Sequence, residues 1–345
     1  MSSENNQHHF GVTGICNAIV DLYVHLSDEE LEKLKFAKSS YGMQSLEEQR
    51  DLLGRVKSYD PKKINGGSVA NSIVTFSQVS AVCGKNNGRD GAYAAMLACV
   101  GDDPLGEFYR SESQRCGVFM PLEPHPKERT GSCVVCVTPD AERTMRTYLG
   151  ASLHLNERDI KSNIIDRSSW VFLEGYVVAN PGHGEEVTKA LISRAKSAKA
   201  KIAFTCSDPW VVKSAKAIIS ASLGSIDLLF ANEYEALELT NSDNLDVALA
   251  QLAKLVPFAA VTLGAQGACI IRNGVQTRVN AVPCNPVDLT GAGDSFAGGF
   301  LWGIEQGYSD RNAAELGCLL AAEVITQVGP RLSEASVASV ARRVC

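Results

Sequence analysis

The sequence lacks an excess of basic residues, with 33 Lys and Arg against 39 Asp and Glu and a formal net charge of -6. Without a basic surface, binding to the phosphate backbone of nucleic acids is not expected. No apolar run approaches the roughly 18 residues of a membrane span, and Met1 to Phe10 lacks the basic-then-apolar order of a signal peptide. The sequence therefore predicts a soluble, cytoplasmic protein that binds neither nucleic acid nor membrane.

Two common nucleotide-binding motifs are also missing. The Gly84-Lys85 pair has Val79 where a phosphate-binding Walker loop needs its first glycine. Gly291 and Gly293 are followed by Phe296 where the dinucleotide motif needs a third glycine. These absences argue against a Walker-type ATPase and against a Rossmann oxidoreductase.

The 11 cysteines are scattered through the chain, many of them in apolar runs, which favours buried thiols over a disulfide scaffold. One pair, Cys133 and Cys136, has the spacing of a redox or zinc motif. The alternation from Ser132 to Val137 is typical of a half-buried strand, and no second pair supplies the remaining zinc ligands. A strand is the favoured interpretation, and a redox role is left open.

Short runs rich in Val, Ile and Leu alternate with amphipathic helical patterns along the chain. This alternation predicts an α/β fold with a doubly wound, mostly parallel sheet and helices on both faces. The predicted strands are Val12 to Cys16, Trp170 to Leu173, Ile202 to Thr205, Asp227 to Phe230, Ala259 to Leu263 and Ala268 to Ile271. The predicted helices include Glu185 to Lys199, Leu245 to Leu255 and Asp310 to Gln327, because apolar residues recur there every three or four positions.

Two regions interrupt the alternating pattern of strands and helices. We expect a polar tail at 1–10 and one α/β domain at 11–345, with a small β-rich lid built from about 17–64 and 117–149. The second piece contains the polar turn Pro139-Asp140-Ala141 between alternating segments, which predicts a hairpin.

The segment from Asp288 to Phe300 carries the most chemical information. Its glycine turn opens an apolar, helix-compatible stretch, so the amides of Gly291, Ala292 and Gly293 are predicted to hold a phosphoryl group. Asp294 at that N-terminus is then placed to take a proton from a substrate hydroxyl. The alternative is that Asp294 only caps the helix.

A second glycine turn lies at Gly66 and Gly67, before an apolar helix that begins near Ser68. A small ligand can approach the backbone closely at glycine, and the Asn71 amide one turn later both donates and accepts hydrogen bonds. This combination suits a polyol substrate. The alternative is a helix capped by Ser68 with Asn71 on its surface.

Together the two segments resemble the ribokinase or PfkB family of carbohydrate and nucleoside kinases, and the resemblance extends from about Gly11 to Gly329. The family's paired signatures are a Gly-Gly turn with a downstream Asn and a late Gly-Ala-Gly-Asp, and both occur here in family order. The resemblance implies a ribokinase-like fold and transfer of the γ-phosphate of ATP, with Mg2+, to a hydroxyl group. A catalytically inactive nucleotide-binding regulator is the alternative from another class.

The resemblance also assigns roles to other positions. Asn17 and Asp21 match residues that bind substrate hydroxyls, and Arg143 matches a lid arginine that reaches the transferring phosphate, with Arg146 a weaker candidate. The residues that match the ATP side are Asn232 and Glu235, which act on Mg2+ through water and phosphates, then Thr262, Gly264 and Gly267, and the stretch from Ala322 to Gly329 beside the adenine. Asp288 and Thr290 match a monovalent-cation site, so K+ is left open. Without the resemblance, Asn17 and Asp21 indicate a turn after a strand, and Asn232 and Glu235 indicate a capped helix. The segment from Thr262 to Gly267 then indicates a β-turn, and Arg143 a surface arginine.

The insertion from Leu26 to Ile64 and the Arg143 segment resemble the adenosine-kinase-like branch. We therefore expect a nucleoside such as adenosine, phosphorylated at its 5′ hydroxyl, and the runner-up is a sugar kinase acting on ribose, fructose or a keto-deoxy sugar acid. The nucleobase of such a substrate needs an aromatic or apolar surface in the pocket, and the candidates are Tyr41, Phe119, Tyr148 and Tyr176. Longer lids favour a monomer, with a lid-mediated homodimer as the alternative.

Overall fold

The computed structural model describes residues 9–83, 93–140, 142–160 and 163–344. In chain order, the strands are β1 (Phe10–Ile15), β2 (Ile19–His25), β3 (Tyr41–Met43), β4 (Lys62–Asn65), β5 (Ala94–Leu97), β6 (Val118–Phe119), β7 (Gly131–Val137), β8 (Arg143–Tyr148), β9 (Ser168–Glu174), β10 (Lys201–Thr205), β11 (Leu228–Asn232), β12 (Phe258–Thr262), β13 (Ala268–Arg272) and β14 (Val275–Val279). The α-helices are α1 (Asp28–Lys33), α2 (Leu46–Val56), α3 (Ser68–Cys83), α4 (Pro104–Arg115), α5 (Glu157–Ile160), α6 (Gly175–Val178), α7 (Gly184–Ala198), α8 (Pro209–Ser214), α9 (Lys216–Ser222), α10 (Glu233–Thr240), α11 (Leu245–Leu255), α12 (Ala292–Glu305), α13 (Asp310–Val324) and α14 (Glu334–Ala341).

The main sheet has nine strands in the order β14-β13-β12-β11-β10-β9-β1-β5-β6. Strands β12 through β6 in this order run parallel, and β13 and β14 are added antiparallel at one edge. The predicted doubly wound, mostly parallel sheet is confirmed. All six of the strands predicted from apolar runs are present, with bounds that differ by one or two residues.

Helices cover both faces of the main sheet, which is why its strands are apolar without interruption. Every residue of β1 is buried, as expected for a strand that contacts helices on both sides. In β9, Phe172 packs into the core shared with α3, α12 and α13, whereas its neighbours Val171 and Leu173 pack into the core shared with α7, α10 and α11. The alternation of side chains along each strand thus divides the apolar residues between two cores.

A second, five-stranded sheet has the order β3-β8-β7-β2-β4. Strands β7 and β8 form the predicted antiparallel hairpin, although Ala141 in its turn lies outside the described residues. Helix α2 lies on one face of this sheet, since the Gln49 side chain donates to the Ser132 carbonyl oxygen at 3.2 Å. The opposite face carries Tyr23, Cys133 and Val135.

Two predicted boundaries need correction. The second lid piece was expected to begin at 117, but Val118–Phe119 pairs with β5 and belongs to the main sheet, so the small sheet resumes only at Gly131. The tail was expected to reach residue 10, but Phe10 is 3% exposed and begins β1. The first error arises because β6 has only two residues at a sheet edge, too few to show periodicity, and the second because the first strand was predicted to begin two residues late, at Val12.

Local chemistry explains where several helices begin. Ser27 and Ser45 form capping boxes with the glutamate three residues later, an arrangement that satisfies two backbone donors at once. Asp103 caps α4, whose first residue is Pro104, where a missing N–H costs nothing. No α-helix within the described ranges is long and apolar enough to cross a membrane.

The cysteines are mostly buried thiols, as predicted. Among the described residues nine cysteines are free, and of these nine only Cys284 is exposed, whereas Cys83 is disulfide-bonded. Cys133 and Cys136 are free and buried on opposite faces of β7, because residues an odd number of positions apart in a strand point to opposite faces. They are therefore not arranged as a ligand pair, and the strand interpretation is confirmed.

Candidate active site

Several of the predicted site residues lie at the carboxyl edge of the main sheet. Asn17 follows β1, Glu174 is the last residue of β9, Asn232 is the last of β11, and Thr262 is the last of β12. These strands are parallel, so their carboxyl ends meet at one edge. Strand β1 lies between β9 and β5, where the winding of the chain changes direction, and open α/β sheets bind ligands at such a point.

Helix α12 begins at Ala292, directly after the glycine turn, as predicted. Gly291 has a φ of +81°, and a Cβ atom there would lie 2.4 Å from the Pro330 carbonyl oxygen, so only glycine fits. The Ala292 amide donates to the Leu289 carbonyl oxygen at 3.4 Å. Gly293 is exposed, and a Cβ atom there would meet nothing within 4 Å. The helix N-terminus therefore opens onto free space, where its positive end attracts an anion.

Asp294 does not cap this helix, which settles the alternative left open by the sequence. Its Oδ1 accepts a hydrogen bond from the Ser68 hydroxyl at 2.7 Å, and its Oδ2 accepts one from Asn71 Nδ2 at 2.9 Å. Burial raises the pKa of Asp294 to about 6, against the opposing effects of these two hydrogen bonds and of the Arg331 charge. A carboxylate with this pKa is ionised at neutral pH and is still basic enough to accept a proton.

Helix α3 supplies both hydrogen-bond donors to Asp294. It begins at Ser68, as predicted, but Ser68 donates to Asp294 and Asn71 is only 4% exposed, so Asn71 does not lie on a helix surface. Residues three apart in a helix share one face. Ser68 and Asn71 therefore approach the two oxygens of one carboxylate.

The glycines before α3 are required by close contacts with the chain around β2. A Cβ atom on Gly66 would lie 2.6 Å from Asp21 Oδ2, and one on Gly67, whose φ is +97°, would lie 2.4 Å from the Asn17 carbonyl oxygen. The Asn17 side chain exchanges hydrogen bonds with Asn180 at 3.3 and 2.9 Å. The five predicted substrate-binding residues, Asn17, Asp21, Gly66, Gly67 and Asn71, are thus brought together around one turn.

Glu174 is a buried carboxylate that the sequence did not single out. It is 1% exposed and accepts hydrogen bonds from the backbone amides of Asn17 at 3.4 Å and Val69 at 2.9 Å. Burial raises its pKa to about 8, the two amides oppose the rise, and the charge of Asp294 adds to it. The available signal was an acidic residue before a glycine at the end of a predicted strand. Glu174 ties the end of β1 to the start of α3.

Asp21 is a third carboxylate with a strongly perturbed pKa. Burial raises its pKa to about 7, and the charges of Arg331 and Arg143 lower it. Asp21, Glu174 and Asp294 all have raised pKa values, a clustering that is typical of functional sites.

Arg331 is a further residue that sequence reasoning missed. Its Nε donates to Asn71 Oδ1 at 2.8 Å, and its charge lowers the pKa of both Asp21 and Asp294. It lies two residues beyond Gly329, where the resemblance to the family's motifs ends, so no motif marked it.

Arg143 connects the small sheet to the loop before α12. Its Nη1 donates to Asp288 Oδ1 at 2.7 Å. The same carboxylate accepts hydrogen bonds from the Thr290 amide and hydroxyl at 2.9 and 2.6 Å and from the Gly329 amide at 3.0 Å. Burial opposes ionisation, but these hydrogen bonds and the Arg143 charge hold the pKa of Asp288 below its usual value. Three of these hydrogen bonds end on Oδ1 and one ends on Oδ2, and a K+ site at Asp288 and Thr290 stays a prediction.

Asn232 and Glu235 form the capping box at the start of α10, which is the ordinary role the motif allows. Glu235 Oε2 accepts from the Asn232 amide at 2.9 Å, and its Oε1 accepts from Asn232 Nδ2 at 2.7 Å. Burial raises the pKa of Glu235 to about 7, and the charges of Asp208 and Asp294 contribute to the rise. The capping box thus places a buried carboxylate near Asp294.

Mg2+ prefers oxygen ligands and keeps several waters. The described residues contain no group of three or more His, Cys, Asp or Glu that could hold a metal ion. The oxygens of Asn232 and Glu235 do not form a protein cage, but they fit an ion held mainly by phosphates and water, and this role stays a prediction.

Thr262, Gly264 and Gly267 lie where β12 turns back into antiparallel β13. Gly264 and Gly267 have φ values of +55° and +90°, and a Cβ atom on Gly267 would lie 2.0 Å from the Val279 carbonyl oxygen. The segment is therefore the turn between strands that the residues alone suggested. A role in ATP binding stays a prediction.

The candidate aromatic residues separate into two groups. Phe119 stacks on Phe10, 6.1 Å away between ring centroids, and Tyr148 donates a short hydrogen bond to Glu128, so both have partners other than the residues around Asp294. Tyr41 and Tyr176 are 62% and 37% exposed. Tyr41 belongs to the small sheet, and Tyr176 follows β9 of the main sheet. Burial is the main cause of the raised pKa of Tyr176, and the charges of Asp208, Glu174, Tyr41 and Asp294 contribute to it.

Comparisons with known proteins agree with this geometry. The model of the pfkB family of carbohydrate kinases matches residues 46–336. An adenosine kinase from Dictyostelium discoideum is 26% identical over 333 residues, covering 91% of this chain and 94% of that protein. The crystal structure of adenosine kinase from Sinorhizobium meliloti is 31% identical, with a TM-score of 0.84, and covers 98% of this chain and 100% of its own. A probable sugar kinase from Rhizobium etli CFN 42 is 30% identical, with a TM-score of 0.84, covering 98% and 99%.

Proposed function

The chain belongs to the pfkB family of carbohydrate kinases, and on that premise we propose that it transfers the γ-phosphate of ATP to a hydroxyl of a nucleoside, with Asp294 as the base. Its general class, a phosphotransferase with an alcohol acceptor, follows from its membership and its adenosine kinase relatives. Three finer points belong to the proposal: the nucleoside, the base, and the use of ATP with Mg2+.

One observation carries the proposal. The Asp294 carboxylate stands at the N-terminus of α12 beside the open space in front of Gly293, with one hydrogen bond from α3 to each of its oxygens. An ionised carboxylate accepts hydrogen bonds at about four lone-pair positions, so acceptor capacity remains for a substrate hydroxyl. A base oriented in this way beside an anion-binding helix end suits phosphoryl transfer.

The reaction then has one proton transfer and one displacement. Asp294 takes the hydroxyl proton as the substrate oxygen forms a bond to the γ-phosphorus, and the bond from that phosphorus to the leaving oxygen of ADP breaks. The amides at the start of α12 and the Arg143 guanidinium stabilise charge on the transferring group. Asn232 and Glu235 would hold Mg2+ through water and phosphates, and the ion would neutralise charge on the nucleotide.

Two exposed aromatic residues, Tyr41 and Tyr176, favour a nucleoside over a free sugar. Their charges influence each other, and Tyr41 also interacts with Cys133 in the buried apolar cluster on one face of the small sheet. Tyr41 lies on the same sheet, opposite Met145 on β8, and Tyr176 follows β9 in the main sheet. Apolar and aromatic surface of this kind suits a nucleobase, whereas a free sugar needs mainly polar partners.

A sugar kinase is the second candidate, because the probable sugar kinase from Rhizobium etli CFN 42 matches the chain as well as the adenosine kinase from Sinorhizobium meliloti does. Both candidates use the same base and differ only in the acceptor pocket. A panel of nucleosides and sugars, tested one at a time, separates them.

The test measures ADP release from ATP and Mg2+ with each acceptor for the wild type and for Asp294→Asn. We expect nucleoside-dependent ADP release by the wild type and a loss on the order of a thousandfold in kcat for the variant, because an amide cannot accept the proton. Asp246→Asn is the matched control, since that side chain is 85% exposed. Wild-type turnover by Asp294→Asn would remove the base assignment, and ADP release with sugars alone would select the second candidate.

A further inference from the structure

Arg331 lies between α13 and α14, outside every motif that pointed to the site. Its Nε donates to Asn71 Oδ1 at 2.8 Å, and Asn71 Nδ2 in turn donates to Asp294 Oδ2 at 2.9 Å. The Gln327 side chain donates to the Arg331 carbonyl oxygen at 2.6 Å and so fixes the backbone that carries Arg331. A continuous chain of hydrogen bonds therefore leads from Arg331 to the proposed base.

The chemistry of Arg331 and of Asp294 fixes the orientation of the Asn71 amide that lies between them. A guanidinium can only donate hydrogen bonds, so the Asn71 atom that faces Arg331 must be its oxygen. The Asn71 nitrogen is then left to face Asp294, and an ionised carboxylate can only accept. Both contacts select the same orientation, so Arg331 reinforces the one that Asp294 favours, and an amide that turned over would lose both hydrogen bonds.

We propose that Arg331 is a positioning residue for Asp294: it locks the Asn71 amide so that Nδ2 points at the carboxylate, and its charge favours the ionised carboxylate. This inference rests on the proposed role of Asp294 as the base. Arg331 reaches Asp294 through Asn71, so it is not itself a catalytic residue.

The surroundings of Asp294 make the charge of Arg331 important. The titratable and charged groups that interact with Asp294 are Glu174 at the end of β9, Tyr176 in α6, Glu235 in α10 and Arg331. Of these four, Arg331 is the cation, and Glu174 and Glu235 carry negative charge when ionised. Removing the cation should therefore raise the pKa of Asp294 above about 6, since a nearby positive charge favours the ionised form.

A purely structural role explains the position of Arg331 less well. Its Nη2 is buried and has no hydrogen-bond partner within the part of the chain that the structure describes. An unpartnered buried donor lowers stability, so a residue selected only for folding would not leave one there. Arg331 also interacts with the buried Tyr109 hydroxyl, which donates to the Gly66 carbonyl oxygen, and its hydrogen bond to Asn71 is directed at the site.

The test compares Arg331→Gln, which removes the charge, with Arg331→Lys, which keeps it, by measuring kcat from pH 5 to 9 at saturating acceptor and ATP. For Arg331→Gln we expect the acid limb to move to higher pH by about half a unit to one unit, and kcat on the plateau to fall about tenfold. For Arg331→Lys we expect a lower plateau with the acid limb unmoved. Arg278→Gln, an exposed arginine paired with Asp246, is the control for loss of one positive charge.

A double-variant cycle with Asn71→Ala tests the route. If Arg331 acts through Asn71, adding Arg331→Gln to Asn71→Ala should not lower the plateau further, whereas independent residues would give losses that multiply. Thermal unfolding of each variant checks folding, and if Arg331→Gln does not fold, the cycle is run with Arg331→Lys.

Two results would overturn the inference: an unmoved acid limb in Arg331→Gln, or plateau losses that multiply. Asp21 also responds to the Arg331 charge, so the shift must persist in an Asp21→Asn background to be attributed to Asp294. Failure of the base assignment is separable, because it would appear as an active Asp294→Asn enzyme whatever Arg331 does.

Discussion

Replacing Gly293 by alanine separates the stability of the fold from the chemistry of the site. Gly293 is the second residue of α12, its φ is not positive, and a Cβ atom there would contact nothing within 4 Å. Alanine is favoured over glycine within helices by roughly 0.5–1 kcal/mol. The variant should therefore fold as stably as the wild type or gain up to about 1 kcal/mol, which is about 1–3 °C in Tm for a chain of this size.

Activity should change in the opposite direction. The added methyl group projects into the open space in front of the helix, where a transferring phosphoryl group would approach the amides. Losing one donor to a developing oxyanion typically costs about 100- to 1000-fold in kcat. We expect a loss within or somewhat below that range, since the backbone amide remains and only its close approach is hindered.

The assay pairs thermal unfolding with ADP release, and Gly54→Ala is the matched control. Gly54 lies in helix α2, is exposed, and also has nothing within 4 Å of a Cβ atom. The same chemical change should there give the same small stabilisation with kcat unchanged. A Gly293→Ala enzyme with wild-type kcat would refute the placement of the phosphoryl group.

Two other substitutions test the acceptor pocket and the guanidinium. Tyr176→Ala should raise KM for the nucleoside roughly 5- to 150-fold, because aromatic stacking on a nucleobase contributes about 1–3 kcal/mol. An unchanged KM would place the nucleobase elsewhere. Arg143→Gln should lower kcat by on the order of a hundredfold. Arg115→Gln is the control, because Arg115 is an exposed arginine on α4. A wild-type kcat in Arg143→Gln would limit the role of Arg143 to its contact with Asp288.

The sequence predicted the main sheet well because its strands are buried on both faces. Continuous apolar runs such as Trp170 to Leu173 leave little doubt about position or type. Strand β6 was missed because Val118–Phe119 is too short to carry a pattern and lies at the edge of the sheet. Strand β3, Tyr41–Met43, is equally short, and its place depends on pairing with β8, far away in the chain.

The candidate site divides in the same way. Asp294 and the glycine turns could be identified because glycine and an acidic residue at a helix start have a local chemical meaning. Glu174 and Arg331 have none: each acquires its role only when distant segments meet, with Glu174 reaching Asn17 and Val69 and Arg331 reaching Asn71. Asn71 was predicted to bind substrate, but its link to Asp294 is a contact between α3 and α12 that no local pattern encodes.

The carboxylates explain why Arg331 and Arg143 are placed as they are. Burial raises the pKa of Asp21, Glu174 and Asp294 to about 7, 8 and 6, so each group lowers the stability of the folded chain as the pH rises above its ordinary pKa. The destabilisation is absent below the ordinary carboxylate pKa near 4 and is complete above the raised values. A fold selected for stability alone would replace these side chains by neutral ones. Retaining them needs compensating positive charge. Arg331 supplies this charge to Asp21 and Asp294, and Arg143 supplies it to Asp21. With a pKa of about 6, Asp294 remains a base that is ionised at the pH where a kinase works.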